Sequence, residues 1–241
     1  MSRFYTPLPL AVGNQVTVPE HVASHIHVLR LGLGAALTLF DGSGDEYIGT
    51  IIALEKKRIS IDIKTVISRS VELPYAITLA QALPEAAKMD WIIEKAVELG
   101  AAGIQPLAAQ RCVVRLSAER AEKRQTHWQA IIISASEQCG RNRLAQLAPV
   151  TDFDRWIGQH DLHRRILLSP RAEQSLADWS RHHPAQAVTI MVGPEGGFSP
   201  EEERSALQHG ALALSMGPRV LRTETAGLAA LAVVGAAWGG N

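Results

Sequence analysis

The chain has 241 residues, 46% of them hydrophobic and 20% charged, with 24 basic side chains against 24 acidic ones. That length holds one large domain or two modest ones, and the apolar content excludes an intrinsically disordered chain. A net charge of zero does not announce a nucleic-acid partner, although a total hides local patches.

Two cysteines, Cys112 and Cys139, are too few for a disulfide framework and lack metal-ligand spacing. No metal site is therefore expected, and a reducing, cytoplasmic setting fits. The stretch Met1-Ser2-Arg3-Phe4-Tyr5-Thr6-Pro7 has no apolar signal-peptide core. The apolar run 226–238 is shorter than the roughly 20 residues of a membrane span, so it reads as a buried helix and no membrane partner is expected.

In chain order, a brief helix is expected over 20–31. Residues 35–40 form a short apolar strand that ends in the turn Asp41-Gly42-Ser43-Gly44. Segments 47–54 and 58–67 are rich in Ile, Val and Thr. In the second, Ile59, Ile61, Ile63 and Thr65 alternate with Ser60, Asp62 and Lys64, the period-two pattern of a half-buried strand. Short strands with tight turns predict a small β-barrel in residues 1–73.

After Leu73-Pro74 the pattern becomes strand–helix alternation, which predicts an α/β domain with a parallel sheet in residues 74–241. Strands are expected at 76–83, 103–109, 165–168, 187–192 and 211–216. A helix at 88–99 carries Trp91, Ile92, Ala96 and Leu99 on its apolar side, with Gly100 as its stop. Ser117 caps a long helix to about Gln138, with Trp128, Ile131, Ile132 and Ala135 on the apolar side. Further helices are expected at 176–181, 201–208 and 225–238.

Ligands of open parallel sheets bind beyond the carboxyl ends of the strands, and two such ends carry unusual loops. The first is Gly193-Pro194-Glu195-Gly196-Gly197-Phe198-Ser199. Its glycines allow close backbone approach, and Ser199-Pro200-Glu201-Glu202 has the pattern of a capping box. The loop lacks the lysine of a P-loop and the spacing of a dinucleotide fold, and Glu195 would repel a phosphate. It therefore suits a ligand with an adenosine or amino-acid part; a plain tight turn is the competing reading. The second is Met216-Gly217-Pro218-Arg219-Val220-Leu221-Arg222-Thr223-Glu224-Thr225, where two guanidiniums can bind phosphate, orient a base, or simply be ion-paired.

Between Arg111 and Arg143 lie seven cations, against only Glu119, Glu122 and Glu137. This stretch reads either as a nucleic-acid contact or as a solvated helix face. Its end, Glu137-Gln138-Cys139-Gly140-Arg141-Asn142-Arg143, also suits the negative end of a helix dipole. Cys139 has no histidine partner fixed by sequence and is not expected to be catalytic.

Together these clusters resemble the RsmE family, the 16S rRNA (uracil-N3)-methyltransferases of the SPOUT class. The likeness also runs through His27-Val28-Leu29-Arg30, Phe40-Asp41-Gly42, Lys88-Met89, Lys95, Glu98-Leu99-Gly100, Pro106 and Arg111. It implies an N-terminal PUA-like β-barrel that binds RNA and a C-terminal SPOUT domain with a deep trefoil knot, an exception to the rule that chains do not thread loops. It implies S-adenosyl-L-methionine (SAM) as cofactor, 16S rRNA or the small ribosomal subunit as partner, and a homodimer with the active site at its interface.

Carried over by position, the SAM loops are Leu168-Ser169-Pro170, Gly193 to Gly197 (with Pro194, Glu195 and Gly196), and Met216-Gly217 with Val220-Leu221. Arg222 is the first candidate to stabilise charge on the uracil oxygens, with Arg219 or Arg141 next. Glu224 is a candidate base, or else an arginine partner or helix cap. Arg30, Arg111, Arg115, Arg124, Arg141 and Arg143 are the candidate RNA contacts. Two other readings stay open: a SPOUT enzyme acting on tRNA or on a ribose 2′-hydroxyl, and a non-catalytic RNA-binding protein. A nucleotide-kinase-like protein is disfavoured by the absent P-loop lysine.

Overall fold

The structure is a computed structural model that describes residues 2–56, 58–85 and 87–239. The chain divides into two compact units: residues 1–72 with 136–144, and residues 73–135 with 145–241.

The first unit contains β1 (Arg3–Tyr5), β2 (Gln15–Thr17), α1 (Glu20–Val28), β3 (Ala36–Phe40), β4 (Asp45–Leu54) and β5 (Ile59–Ser68). The strands pair in the order β1-β3-β4-β5-β2, antiparallel except for β1 with β3. Among the described residues this pairing is an open path with β1 and β2 as edges, so the expected barrel is a five-stranded sheet. The predicted alternation in β5 holds through its first half: Ile59, Ile61 and Ile63 are fully buried against Phe4, Leu37, Leu39 and Ile51. It fails beyond that point, because Thr65 and Ile67 are exposed.

Helix α1 stops short of the predicted Leu31. Arg30 takes a left-handed φ of 55°, its N–H bonds the His27 carbonyl, and the Leu31 N–H bonds the Ile26 carbonyl. This is the closing pattern in which glycine is the usual occupant.

The second unit contains β6 (Ile77–Ala82), α2 (Lys88–Glu98), β7 (Gly103–Ala108), α3 (Ala118–Cys139), β8 (Gln146–Leu147), β9 (Thr151–Asp152), α4 (Phe153–Ile157), β10 (Arg164–Leu168), α5 (Leu176–His182), β11 (Val188–Val192), α6 (Pro200–Gln208), β12 (Leu212–Leu214) and α7 (Thr223–Trp238). The end of α3 from Ser136 onward packs with the first unit. The strands form one parallel sheet in the order β12-β10-β11-β6-β7-β8, with β9 also on β7.

Three local readings needed correction. Trp91 is 47% exposed, and the buried stripe of α2 runs instead through Met89, Ile92, Ile93, Ala96 and Val97. Strand β12 ends at Leu214, because Ser215 leaves the strand to bridge Ser175. Helix α7 begins at Thr223 and packs against β11, β6, α5 and α2. It comes close at Gly227, where a Cβ would stand 3.0 Å from the Leu79 side chain and 3.4 Å from that of Val192. Among the described residues no helix is long and apolar enough to cross a membrane.

Candidate active site

Strands β10, β11 and β12 lie together in the sheet and point the same way, so the loops that follow them emerge on one edge. All three loops line a single cavity of about 510 Å³. From the first come Leu168, Ser169 and Pro170, from the second Gly193 through Gly197, and from the third Met216, Gly217, Val220 and Leu221. The cavity also takes in Arg219, Arg222 and Glu224, so three of the four candidate catalytic side chains meet there.

The second loop is held from several directions. Its end is fixed by the expected capping box: the Glu202 N–H donates to Ser199 Oγ at 3.1 Å, and the Ser199 N–H donates to Glu202 Oε2 at 2.8 Å. Glu202 is 1% exposed, and its other oxygen accepts from the Gln110 N–H at 2.7 Å. Phe198 is buried against Phe153, with ring centroids 4.9 Å apart. The loop closes on itself through the Gly197 N–H to the Pro194 carbonyl, at 2.8 Å. Gly193 is pressed against this turn: a Cβ there would stand 2.7 Å from the Phe198 nitrogen and 2.9 Å from the Gly197 carbonyl carbon.

A buried relay ties this loop to the start of α7. Gln81 Nε2 donates to Thr223 Oγ1 at 2.9 Å, and Thr223 Oγ1 donates to the Gly193 carbonyl at 2.6 Å. Sequence reasoning missed both side chains. Thr223 sat in the singled-out motif, but its partners lie 142 and 30 residues away.

Arg111 was expected on RNA. Its Nη1 instead donates to the carbonyls of Gly196 at 2.8 Å and Phe198 at 3.3 Å, so it braces the glycine loop from within the cavity lining. Lys88, unassigned from the sequence beyond the family likeness, also lines the cavity and pairs with Glu195 at 2.6 Å. Burial pushes the Glu195 carboxyl upward, but the Lys88 ammonium and the N–H groups of Glu195 and Glu85 outweigh it and hold the group below the usual carboxylate range. The same hydrogen bond holds the Lys88 ammonium above its ordinary value, against a smaller effect of burial.

The guanidiniums of Arg219 and Arg222 are exposed at the cavity, and among the described residues neither has a hydrogen bond or ion pair. Glu224, in the first turn of α7, neither caps the helix nor pairs an arginine. Among the described residues its buried Oε2 has no hydrogen bond, and it makes a loose ion pair with Lys88 Nζ at 3.9 Å.

Arg141 belongs to the first unit and does not line this cavity. Its side chain is 5% exposed and bonds both oxygens of Glu72, one of them through Nε at 3.1 Å. A guanidinium so buried and committed is a structural ion pair, which corrects its assignment to both catalysis and RNA contact. The rest of the cluster is built the same way. Glu137 accepts from the Tyr5 N–H at 2.8 Å, and Asn142 accepts from Arg3 at 2.5 Å and donates to the Arg69 carbonyl at 3.1 Å. Burial holds the Glu137 carboxyl above the usual range, opposed incompletely by the Tyr5 N–H, His25, His21 and Arg3.

Of the remaining candidate RNA contacts, Arg30, Arg115, Arg124 and Arg143 are exposed. Arg115 donates to the Gln110 carbonyl at 2.9 Å, and Arg143 lies against Gly44. Burial pushes the Cys112 thiol up, which makes it a poor nucleophile.

Comparison with known proteins agrees with this geometry. Residues 71–235 match the family model described as an RNA methyltransferase domain, and residues 18–64 match an RNA methyltransferase PUA domain. The ribosomal RNA small subunit methyltransferase E of Bacillus subtilis is 30% identical over 89% of this chain and 87% of its own. That of Buchnera aphidicola from Schizaphis graminum is 29% identical over 95% and 93%. The Neisseria gonorrhoeae enzyme of the same name, solved bound to SAM, superposes with a TM-score of 0.92 at 38% identity, over 99% of this chain and 98% of that one. A Legionella pneumophila methyltransferase solved with its cofactor SAM gives 0.93 at 38% identity, over 98% of each chain. With a family model spanning most of the chain and relatives matched almost end to end, this protein belongs to the ribosomal RNA small subunit methyltransferase E family.

Proposed function

We propose that this protein methylates N3 of a uridine in the 16S rRNA of the small ribosomal subunit, with SAM as methyl donor, in the cytoplasm. The observation that carries this reading is the convergence of three loops from neighbouring parallel strands on one cavity. The residues present fit SAM. The loops offer backbone groups and apolar side chains suited to adenosine, Gly193 permits the tight turn that shapes the cavity wall where a Cβ would collide with the Phe198 nitrogen, and among the described residues the buried Glu224 Oε2 has no hydrogen bond. Backbone groups of Met216 and Leu221 would hold adenine, with close approach at Gly193 and Gly196.

SAM supplies an activated methyl group on its sulfonium, which leaves the protein to position the base and manage one proton. Uracil N3 is protonated at neutral pH, and its lone pair becomes available when that proton leaves. Negative charge then spreads onto the uracil oxygens, where the guanidiniums of Arg222 and Arg219, without a hydrogen bond or ion pair among the described residues, serve as donors. Glu224 is the proton acceptor in this scheme. A pH–rate profile of Glu224→Gln tests it. Loss of rate with a changed acidic limb is expected, and an unchanged rate and profile removes Glu224 as base.

The domain is read as SPOUT with a trefoil knot, supported by the close approach of α7 to β6 and β11 at Gly227. A homodimer is proposed on the family likeness, with Trp91 at 47% exposed and Val220 at 81%, two of several large apolar residues open on the surface, as candidates for its interface. Arg30, Arg143 and the PUA-like sheet on one unit, and Arg115 and Arg124 on the other, are read as contacts to RNA phosphates. An N3 edge buried in a base pair is out of reach, so the target uridine must be unpaired or extruded.

A further inference from the structure

A second cavity, of about 340 Å³, lies within the second unit, toward the opposite ends of the strands from the cofactor loops. Its floor is a row of residues from neighbouring strands. Arg165 of β10 pairs in register with Thr189 of β11, Thr189 with Thr78 of β6, Thr78 with Gly103 of β7, and Gly103 with Gln146 of β8. Register partners project to the same face, so a polar strip crosses a parallel sheet whose faces are ordinarily apolar. Within the strip Gly103 leaves bare backbone: a Cβ there would stand 3.0 Å from Thr78 Oγ1. Trp156 of α4 forms part of the lining, with the Arg165 guanidinium 4.7 Å from its ring centroid.

The charges of the strip are already spent. Arg165 donates to the Ile157 carbonyl at 2.6 Å and the Gln159 carbonyl at 2.7 Å, and its Nε faces Asp161 Oδ2 at 3.5 Å. Asp161 also accepts from the His163 N–H at 2.9 Å and from Thr189 Oγ1 at 3.1 Å. A charged ligand therefore gains no salt bridge from this pair.

Neutral groups are what remain. Gln105 is 9% exposed and donates from Nε2 to the carbonyls of Pro106 at 2.9 Å and Pro149 at 3.0 Å. Two carbonyl partners fix which end is nitrogen, so Oε1 is left as an acceptor, and among the described residues it meets no donor. On the same terms Trp156 Nε1 keeps its hydrogen and the Thr78 hydroxyl is free. A fixed acceptor, a fixed donor and a hydroxyl surround a bare strip of peptide backbone. The match is a flat, uncharged ring with donors and acceptors on its edge, and the volume is that of a small-molecule site.

We propose that this strip is a second ligand site, distinct from the cofactor cavity, for a neutral nucleobase. The backbone at Gly103 takes the face of the ring, and Gln105 Oε1, Trp156 Nε1 and Thr78 Oγ1 take its edge. A free nucleoside and an unpaired base of RNA present the same chemistry.

The indole N–H of Trp156 reports the site in the isotope-labelled full chain, as the resonance that Trp156→Phe removes. S-adenosylhomocysteine, the demethylated cofactor, is kept saturating so that adenosine cannot enter the first cavity. Uridine, cytidine, adenosine and guanosine are titrated in turn, and then a single-stranded RNA oligomer. At least one of these ligands is expected to move the Trp156 resonance to saturation. Thr78→Val keeps the shape but removes the hydroxyl, and should weaken that titration about threefold to tenfold. Gly103→Ala should weaken it as well, by lifting the ring from the backbone. In both variants S-adenosylhomocysteine should bind within about twofold of the wild type, which reports a folded chain, since one neutral hydrogen bond at the far ends of the strands does not reach that cavity. If Gly103→Ala does not fold, Thr78→Val decides alone.

An oligomer that displaces the nucleoside identifies the ligand as a base of RNA, and a nucleoside that binds where the oligomer does not identifies it as free. The proposal is wrong if no nucleoside or oligomer moves the Trp156 resonance, or if Thr78→Val titrates like the wild type. A chain that does not bind S-adenosylhomocysteine counts against the cofactor reading and leaves the Trp156 test as it stands.

Discussion

Gly193→Ala is the sharpest single perturbation of the cavity. The added methyl would stand 2.7 Å from the Phe198 nitrogen, 2.9 Å from the Gly197 carbonyl carbon and 3.0 Å from its Cα. All three are backbone atoms, so no rotamer change relieves the contact. Nor can the far side of the turn move freely: Phe198 is 3% exposed and packed on Phe153, and Arg111 holds the Gly196 and Phe198 carbonyls. The displacement therefore falls on Gly193, whose carbonyl is bound to Thr223 at 2.6 Å, and passes to the start of α7. Overpacking of this kind costs about 1–3 kcal/mol. Urea unfolding and calorimetry with S-adenosylhomocysteine measure both consequences, and the account predicts a loss of that size together with a large loss of affinity. Gly197→Ala is the control, because its Cβ meets nothing within 4 Å and its φ of 65° brings only backbone strain, about 1–2 kcal/mol. If Gly193→Ala unfolds and binds like the wild type, the packing argument for the loop fails.

Other outcomes follow from the same contacts. Thr223→Val keeps the shape but removes the donor to the Gly193 carbonyl and one of the two acceptors of Gln81 Nε2, which keeps the Ala82 carbonyl, and should lower stability by about 1–3 kcal/mol with weaker cofactor binding in the same calorimetry. Arg141→Ala leaves Glu72 without its partner and should cost about 3 kcal/mol by urea unfolding, with the cofactor affinity of the folded protein unchanged. Glu137 has a raised folded-state pKa, so the native chain holds that proton more tightly than the unfolded one. Its contribution to stability is greatest below the ordinary glutamate value, about 4.3, and falls as pH rises from there through the raised value; Glu137→Gln should flatten that part of a stability–pH curve. Arg124→Glu, at an exposed position of α3, should weaken RNA binding and reduce its salt dependence without touching cofactor affinity.

The parts of this molecule that were legible in the sequence are those decided locally. The start of α6 needed only Ser199, Pro200 and Glu202, and the stop of α2 only Gly100, which takes a φ of 83°. Two of the three loops, those after β11 and β12, were recognisable because each follows a buried strand and carries a family motif; the loop after β10 was placed only by the family likeness. Helix α4 was missed although Asp152 caps it and Phe153, Trp156 and Ile157 form its buried face, because five residues are too few for a periodic pattern to stand out. The two- and three-residue strands β1, β2, β8 and β9 escaped for the same reason.

Partnership over long separations was not legible at all. Glu137 and Arg141 resemble surface charges at a helix end until Tyr5 and Glu72 are seen beside them, 132 and 69 residues away in sequence. Trp91 misled in the opposite direction, since helical spacing placed it near the buried stripe and the fold leaves it 47% exposed. Arg111 was flagged by its charge, whereas its partners are carbonyls of the glycine loop more than 80 residues on.

The central claim is the reaction and its target, and one measurement addresses both. The purified protein is incubated with methyl-labelled SAM and small ribosomal subunits from a strain lacking it, and the rRNA is digested and mapped by mass spectrometry. The account predicts one labelled nucleoside, N3-methyluridine, at a single position of the 16S rRNA, with the label lost in Arg222→Ala. Label on a ribose hydroxyl or on another base, or no transfer to rRNA alongside measurable SAM binding, would contradict it.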